Sequence, residues 1–187
     1  MKQFGLYDAD RVDQLAHPEN FDQLNGDSPA MVVFTDFKVH EPMVIDATTS
    51  ALEAENMMKR SHVRLKLVVD EYGSFLGVVA LEDLSDSEMI KKVADGYNRE
   101  ELQVNDMMRK RQDLKVFDFR ELELMTVSDV LDVLRQYGHQ HCLVVERSHH
   151  QIRGVISASD IARKLKMDVS IQRPPKFAEL YLSSLHR

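Results

Sequence analysis

A chain that repeats one outline at a fixed interval can fold as two equivalent units, and that constraint dominates this sequence. The stretch GVVALEDL occupies Gly77–Leu84 and GVISASDI occupies Gly154–Ile161. Gly77 and Gly154 lie 77 residues apart, and the same 77 residues separate Asp83 from Asp160. In both stretches an apolar run ends in an acidic residue that stands where a following helix would begin.

The surroundings repeat as well. VHEPMVID (39–46) reads as an extended stretch entering a short strand, with Pro42 holding Glu41 in extended geometry. ATTSALEAENMMKRSHV places Ala51, Ala54, Met57 and Met58 at helical spacing behind Thr48 or Thr49 as N-cap. LKLVVD (65–70), the turn EYGS and FLGVVAL (75–81) read as a hairpin, after which Asp83 opens a helix, LSDSEMIKKVA, that runs to Gly96. In the second copy VSDVLDVLRQYG (127–138) is a helix stopped by Gly138. CLVVE (142–146) is a strand, RSHHQIR a turn, GVIS a strand and SDIARKLKM a helix. Val69 aligns with Val145 at an interval of 76, so the second hairpin loop carries one extra residue, at an exposed turn where insertion is tolerated.

The expected class is α/β in its α+β form: two β-α-β-β-α units packed as a pseudo-twofold pair, since neither sheet face is large enough to be buried alone. The chain divides into a tail (1–38), a first repeat (39–95), a linker (96–103), a second repeat (104–166) and an extension (167–187). The tail contains HPENFDQLNGDSPA, a loop broken by Pro18, Gly26 and Pro29, and docks on the main body. The extension breaks at Pro174-Pro175 and continues as a short helix with Phe177, Leu180, Tyr181, Leu182 and Leu185, placed to cover the pair or to contact a partner.

Composition excludes several function classes. The 187 residues carry a formal net charge of −7, which disfavours general binding to nucleic acid or anionic lipid. No apolar run reaches the roughly 20 residues of a membrane helix, and MKQFGLYDADRVDQ lacks the apolar core of a signal peptide. The single cysteine, Cys142, sits in an apolar run as a small buried hydrophobe, in keeping with a reducing compartment and a cytoplasmic protein.

The paired pattern h-V-V-[DE]…G-V-[VI]-x-x-x-D-[LI], each copy preceded by an amphipathic helix, resembles a tandem pair of cystathionine-β-synthase (CBS) domains, or Bateman module, of the stand-alone bacterial type. The resemblance covers residues 39–166, and VNDMM (104–108) is similar to the lead-in of a second repeat. It implies a regulatory cleft for an adenine nucleotide or other adenosyl ligand: AMP, ADP, ATP or S-adenosylmethionine. The family's ribose signature looks like G-h-h-[ST]-x-x-D-h, matched by Gly154, Ser157 and Asp160. In the first repeat Gly77 and Asp83 match, but Ala80 replaces the hydroxyl, which implies a second, weaker site at Asp83 and Ala80.

The chemistry suits that assignment. One carboxylate can accept hydrogen bonds from both ribose hydroxyls, and such charge-assisted bonds exceed neutral ones. A helix N-terminus keeps Asp160 ionised and offers N–H groups to phosphate, although Ser157 or Asp160 can equally be a helix cap. The resemblance places adenine for the Asp160 site against Pro42, Met43 and Val44, of which Met43 and Val44 otherwise serve as core; the strand corresponding to Asp83 lies near VFDFRELEL. Phosphate is assigned to cations at the mouth: Arg64, its approximate counterpart His139, and Arg163, with Lys164 beside it.

Metal binding and catalysis find little support in the residue pattern. His139, His141, Cys142, His149 and His150 suggest metal, but the first two would share a strand face that Cys142 leaves, without C-x-x-C or H-x-x-x-H spacing. No nucleophile elbow, phosphate-binding Walker loop or base–nucleophile pair is present, so no catalytic residues and no obligatory cofactor are expected. The resemblance implies a homodimer acting in trans on a protein partner whose identity the sequence does not give. Alternatively the chain is an interaction or dimerisation scaffold with a decayed nucleotide site, its contacts carried by FAELYLSSL and the acidic tail.

Overall fold

The computed structural model describes residues 24–165. Its strands are β1 (Phe34–Asp36), β2 (Val44–Asp46), β3 (Leu65–Val69), β4 (Phe75–Ala80), β5 (Arg109–Lys110), β6 (Val116–Asp118), β7 (His141–Glu146) and β8 (Gln151–Ser157). The helices are α1 (Ala51–Arg60), α2 (Asp86–Ala94), α3 (Val104–Met107), α4 (Phe119–Leu122), α5 (Val127–Tyr137) and α6 (Ala158–Leu165). The extension helix and most of the tail lie outside the described residues.

The architecture is mixed α+β with two four-stranded sheets, ordered β2-β3-β4-β5 and β1-β8-β7-β6. The repeat survives in fine detail. β2 runs parallel to β3 as β6 does to β7, and the antiparallel hairpins share a register irregularity, at Val68/Val69 and at Val144/Val145. Local chemistry explains the best-defined helix. Thr126 Oγ1 accepts the Asp129 N–H, the Asp129 carboxylate accepts the Thr126 N–H, and Val127, Val130, Leu131 and Leu134 bury one face. Gly138 ends it in the left-handed region, φ 64°, which an L side chain resists.

Packing follows a different division from chain order. β1 precedes the first repeat yet pairs antiparallel with β8 of the second; β5 precedes the hairpin of the second yet pairs antiparallel with β4 of the first. The cores obey the same exchange. Ala30, Val33 and Phe34 are buried with Val130, Leu134, Val144 and Ile156, whereas Leu102, Val104 and Met107 are buried with Met58, Val68, Val79 and Leu84. Leu102, assigned to the linker by sequence, is therefore a core residue of the first unit.

The exchanged segments also close helix ends. The Ala51 N–H donates to Leu102 O at 2.8 Å, and the Val127 N–H donates to Ser28 O at 2.9 Å. This corrects the expected start of α1. Ser50 occupies the cap position without a side-chain bond, while Thr48 Oγ1 donates to Asp46 Oδ1; the exchanged backbone satisfies a donor that a threonine was expected to take. The tail thus contributes sheet and core in addition to loop.

Arg153 on β8 fixes the exchanged β1. Its Nε donates to Asp36 Oδ1 at 2.8 Å and its Nη2 to Asp36 Oδ2 at 2.6 Å, a two-pronged geometry. Its guanidinium also lies 4.5 Å from the centre of the Phe119 ring. Arg153→Ala should cost about 1.5–3 kcal/mol, the usual range for hydrogen bonds to charged groups. The Arg153 guanidinium holds the Asp36 carboxyl below its ordinary 3.8 against the opposing effect of desolvation. A carboxyl lowered in the folded state stabilises above its unfolded value, and that stability is lost as pH falls through the folded value. Urea unfolding should therefore show a wild-type advantage over Arg153→Ala near neutrality that shrinks below pH 3.8. An advantage independent of pH would assign the cost to packing on Phe119.

Candidate functional site

The two signature segments end their hairpins differently, for a reason visible in one residue. At the end of β8, Ser157 Oγ accepts the Asp160 N–H at 3.3 Å, and α6 begins directly at Ala158. Ala80 has no hydroxyl. Instead the Asp83 carboxylate folds back onto the Ala80 N–H at 2.9 Å, a tight 3-10 turn forms over Leu81–Leu84, and α2 starts only at Asp86. The expectation that Asp83 opens a helix is corrected accordingly.

The signature glycines have a backbone explanation. A Cβ at Gly77 would lie 2.2 Å from Arg109 O on β5, and one at Gly154 would lie 2.1 Å from Thr35 O on β1. Each glycine admits the exchanged strand at close range. That close approach accounts for Gly154, which sequence placed among the ligand contacts, without any ligand.

A cleft of about 430 Å³ opens where the repeats meet. One wall is Ala80, Glu82, Asp83 and Arg109; the other is Tyr137, Gly138, His139, Gln140 and His141. Asp83 is mostly covered, with 14% of its side chain exposed, and its Oδ2 also receives Arg109 Nε at 3.3 Å. The Tyr137 and His139 rings stand parallel within 7°, their centroids 6.4 Å apart. A narrow continuation between the sheets is walled by Leu65 and Val78 on one side and by His141, Cys142 and Leu143 on the other. Leu67, Val78 and Leu143 are buried although they belong to neither core, and Val78 and Leu143 stand on opposite sides of this space.

His141 sits at the centre of the electrostatics. Burial, first of all, pushes its imidazole below the ordinary 6.5; Glu82 and Asp160 oppose that shift, and Arg109 and Arg64 reinforce it. Groups from both signature segments therefore act on one histidine. Burial likewise pushes the Cys142 thiol up to about 11, which leaves it protonated and unreactive near neutrality.

The cleft unites Ala80, Asp83 and His139 from the sequence-derived set. Its walls do not include Gly154, Ser157, Asp160, Pro42, Met43, Val44, Arg64 or Arg163. Asp160 is 33% exposed and its described partner is Arg163 on the same helix. Met43 and Val44 are 55% and 47% exposed, so they are not core. Arg64 reaches Glu82 Oε1 at 3.4 Å, and Lys164 Nζ donates to Val32 O, which commits Lys164 to the exchanged segment.

One correspondence changes. Arg64 O accepts the Leu81 N–H and Gln140 O accepts the Ala158 N–H, both at 2.9 Å, so the counterpart of Arg64 is Gln140 and not His139. VFDFRELEL supplies β6 and α4, and β6 runs parallel to β7 as β2 runs parallel to β3; the exchanged strand beside Asp83 is β5. Arg109, Glu82, Tyr137 and Gln140 carry no signal in the sequence, and His141 stands out there only as a metal candidate. The 76-residue interval did place His141 opposite Leu65 at a strand start, and a histidine in the place of a leucine was the available signal.

Among the described residues no three His, Cys, Asp or Glu side chains converge on a metal position, and no helix is long and apolar enough to cross a membrane. Residues 35–89 and 122–167, more than half of the chain, match the family model described as CBS domain. Hemolysin C of Brachyspira hyodysenteriae is 29% identical over 66 residues, 35% of this chain and 24% of that protein, so the match spans about a quarter of its length. An uncharacterised conserved protein from Pyrococcus horikoshii superposes with TM-score 0.55 at 18% identity, over 79% of this chain and 98% of the other. CBSX2, solved in complex with AMP, superposes with TM-score 0.52 at 18% identity, over 73% and 94%.

Proposed function

The chain belongs to the CBS domain family, and from that premise we propose that it is a regulatory binding module without a catalytic step. An adenosyl ligand enters the cleft between the repeats, and its binding changes the surface offered to a protein partner in trans. The protein works in the cytoplasm as a homodimer. The observation that supports this most is the 430 Å³ cleft, walled by both repeats and holding one of the two signature aspartates. Its volume falls in the usual range for small-molecule sites. CBSX2, which shares the fold, accommodates AMP.

Two half-sites follow from the repeat. At the first, Asp83 takes the ribose hydroxyls and Tyr137 and His139 offer flat faces to adenine. At the second, Ser157 and Asp160 take the ribose, the exposed apolar surface of Pro42, Met43 and Val44 takes the base, and Arg64 and Arg163 take phosphate. A ligand shifts the arrangement of the repeats only through unequal affinity for two arrangements, and a cleft with a wall from each repeat provides that inequality.

The test is thermal unfolding of wild type, Asp83→Ala and Asp160→Ala against AMP, ADP, ATP and S-adenosylmethionine. A ligand at a hundred times its Kd stabilises by about 2.7 kcal/mol, a shift of several degrees. At least one ligand should raise the wild-type midpoint, and at least one aspartate variant should lose the rise. No rise with any ligand would remove the sensor and leave an interaction scaffold. The exposed face of α2 and its following turn favours that alternative, since Ile90, Val93 and Tyr97 stand uncovered at spacings of three and four.

A further inference from the structure

Resting on the cleft as an adenosyl site, we infer that Arg109 makes its Asp83 half selective for a phosphorylated nucleoside over the uncharged nucleoside. Arg109 does so by exchanging Asp83 for phosphate.

Arg109 is fixed by the exchanged strand. It pairs with Val78 while Lys110 pairs with Gly77, so the backbone ladder sets where the guanidinium emerges. Among the described residues that wall the cleft, Arg109 is the one permanently charged cation. Burial disfavours the charged form of His141, and Arg109 itself opposes its protonation.

The contact between Arg109 and Asp83 is suited to exchange. It is made through Nε alone at 3.3 Å, longer than the 2.7–2.9 Å typical of a charge-assisted bond. No described residue accepts from its Nη groups, which leaves the planar fork available to phosphate oxygens. Asp83 does not lose its place when Arg109 departs, because Oδ2 remains on the Ala80 N–H at 2.9 Å. Oδ1 and the released capacity of Oδ2 then serve the two ribose hydroxyls. A phosphate therefore opens the ribose acceptor, whereas an uncharged nucleoside must compete with Arg109 for it.

The repeat supplies an internal comparison. Thr35 pairs with Val155 as Arg109 pairs with Val78, so the exchanged strand brings a neutral hydroxyl to the Asp160 half. The carboxylate there is met by Arg163 of its own helix. The two halves thus draw the arginine that meets the carboxylate from different elements, the exchanged strand at Asp83 and the following helix at Asp160.

Isothermal titration of the full chain with AMP and with adenosine tests the inference, in wild type, Asp160→Ala and the double variant Asp160→Ala/Arg109→Gln. With the Asp160 half silenced, AMP should bind roughly tenfold or more tightly than adenosine, the range for hydrogen bonds to a charged group. Arg109→Gln should bring the two within about twofold, with adenosine binding unchanged or tighter because its competitor is gone. An AMP preference that survives Arg109→Gln overturns the role of Arg109 while the cleft stands. If neither compound binds wild type, the cleft itself is not an adenosyl site and the inference falls with it. Should Arg109→Gln fail to fold, salt dependence in Asp160→Ala decides: AMP affinity should fall with rising salt more steeply than adenosine affinity. Equal slopes overturn the inference.

Discussion

Gly154→Ala should unfold far more easily than wild type, although it adds a single methyl group. The new Cβ would meet Thr35 O at 2.1 Å and the Phe34 ring at 2.4 Å. Neither can retreat cheaply. Thr35 is in the β1–β8 ladder, and Phe34 is buried in the second core with its ring centre 5.8 Å from that of Phe119. Overpacking usually costs about 1–3 kcal/mol, and a collision with backbone belongs at or beyond the upper end. Gly77→Ala should behave alike, since its Cβ would lie 2.2 Å from Arg109 O. Urea midpoints for both variants measure the effect. A loss below about 0.5 kcal/mol at both positions, the scatter of ordinary surface changes, would mean that the exchanged strands are not held where the structure has them.

Leu143→Ala should lower unfolding free energy by about 2–5 kcal/mol, as large-to-small changes at buried leucines do. The more informative effect is on cooperativity. Leu143 faces Leu65 and Val78 across the junction of the two sheets instead of entering either core. Removing it should weaken the coupling between units, so that denaturant unfolding broadens or splits and ligand affinity falls with it. Leu134→Ala, buried wholly within the second core, serves as the comparison: similar loss of stability, no separate transition. If the two variants have the same transition shape, the junction is held by the exchanged segments and not by the sheet faces.

The hairpins, α5 and its stop at Gly138 were legible because their signals are local: apolar period, turn residues and caps lie within a dozen positions of one another. β1 and β5 were not. FTD and RK carry no period of their own, and Phe34 finds its partner at Ile156, far along the chain. What the sequence lacked was the crossing, and the missing of Arg109 and of the α1 cap descends from it. Arg109 reaches Asp83 only because β5 joins the other repeat's sheet, and Thr48 or Thr49 loses the capping role because Leu102 arrives from the same crossing. The signature aspartates were legible as a repeated outline. Their unequal settings turn on Ala80 against Ser157, a difference visible in sequence whose consequence, a carboxylate folded back on the strand end, needed geometry to see.

The crossing also sets what evolution or an engineer can move. Residues 39–95, grafted alone onto another protein, would leave Leu102, Val104 and Met107 behind and open an apolar hole over Ala51, Ala54 and Met58. The second unit without residues 30–36 would surrender an edge strand and the cover over Ile156. Neither half is a spare part: the smallest transplantable piece is the interlocked pair, and shuffling of this fold between genes must carry both halves together.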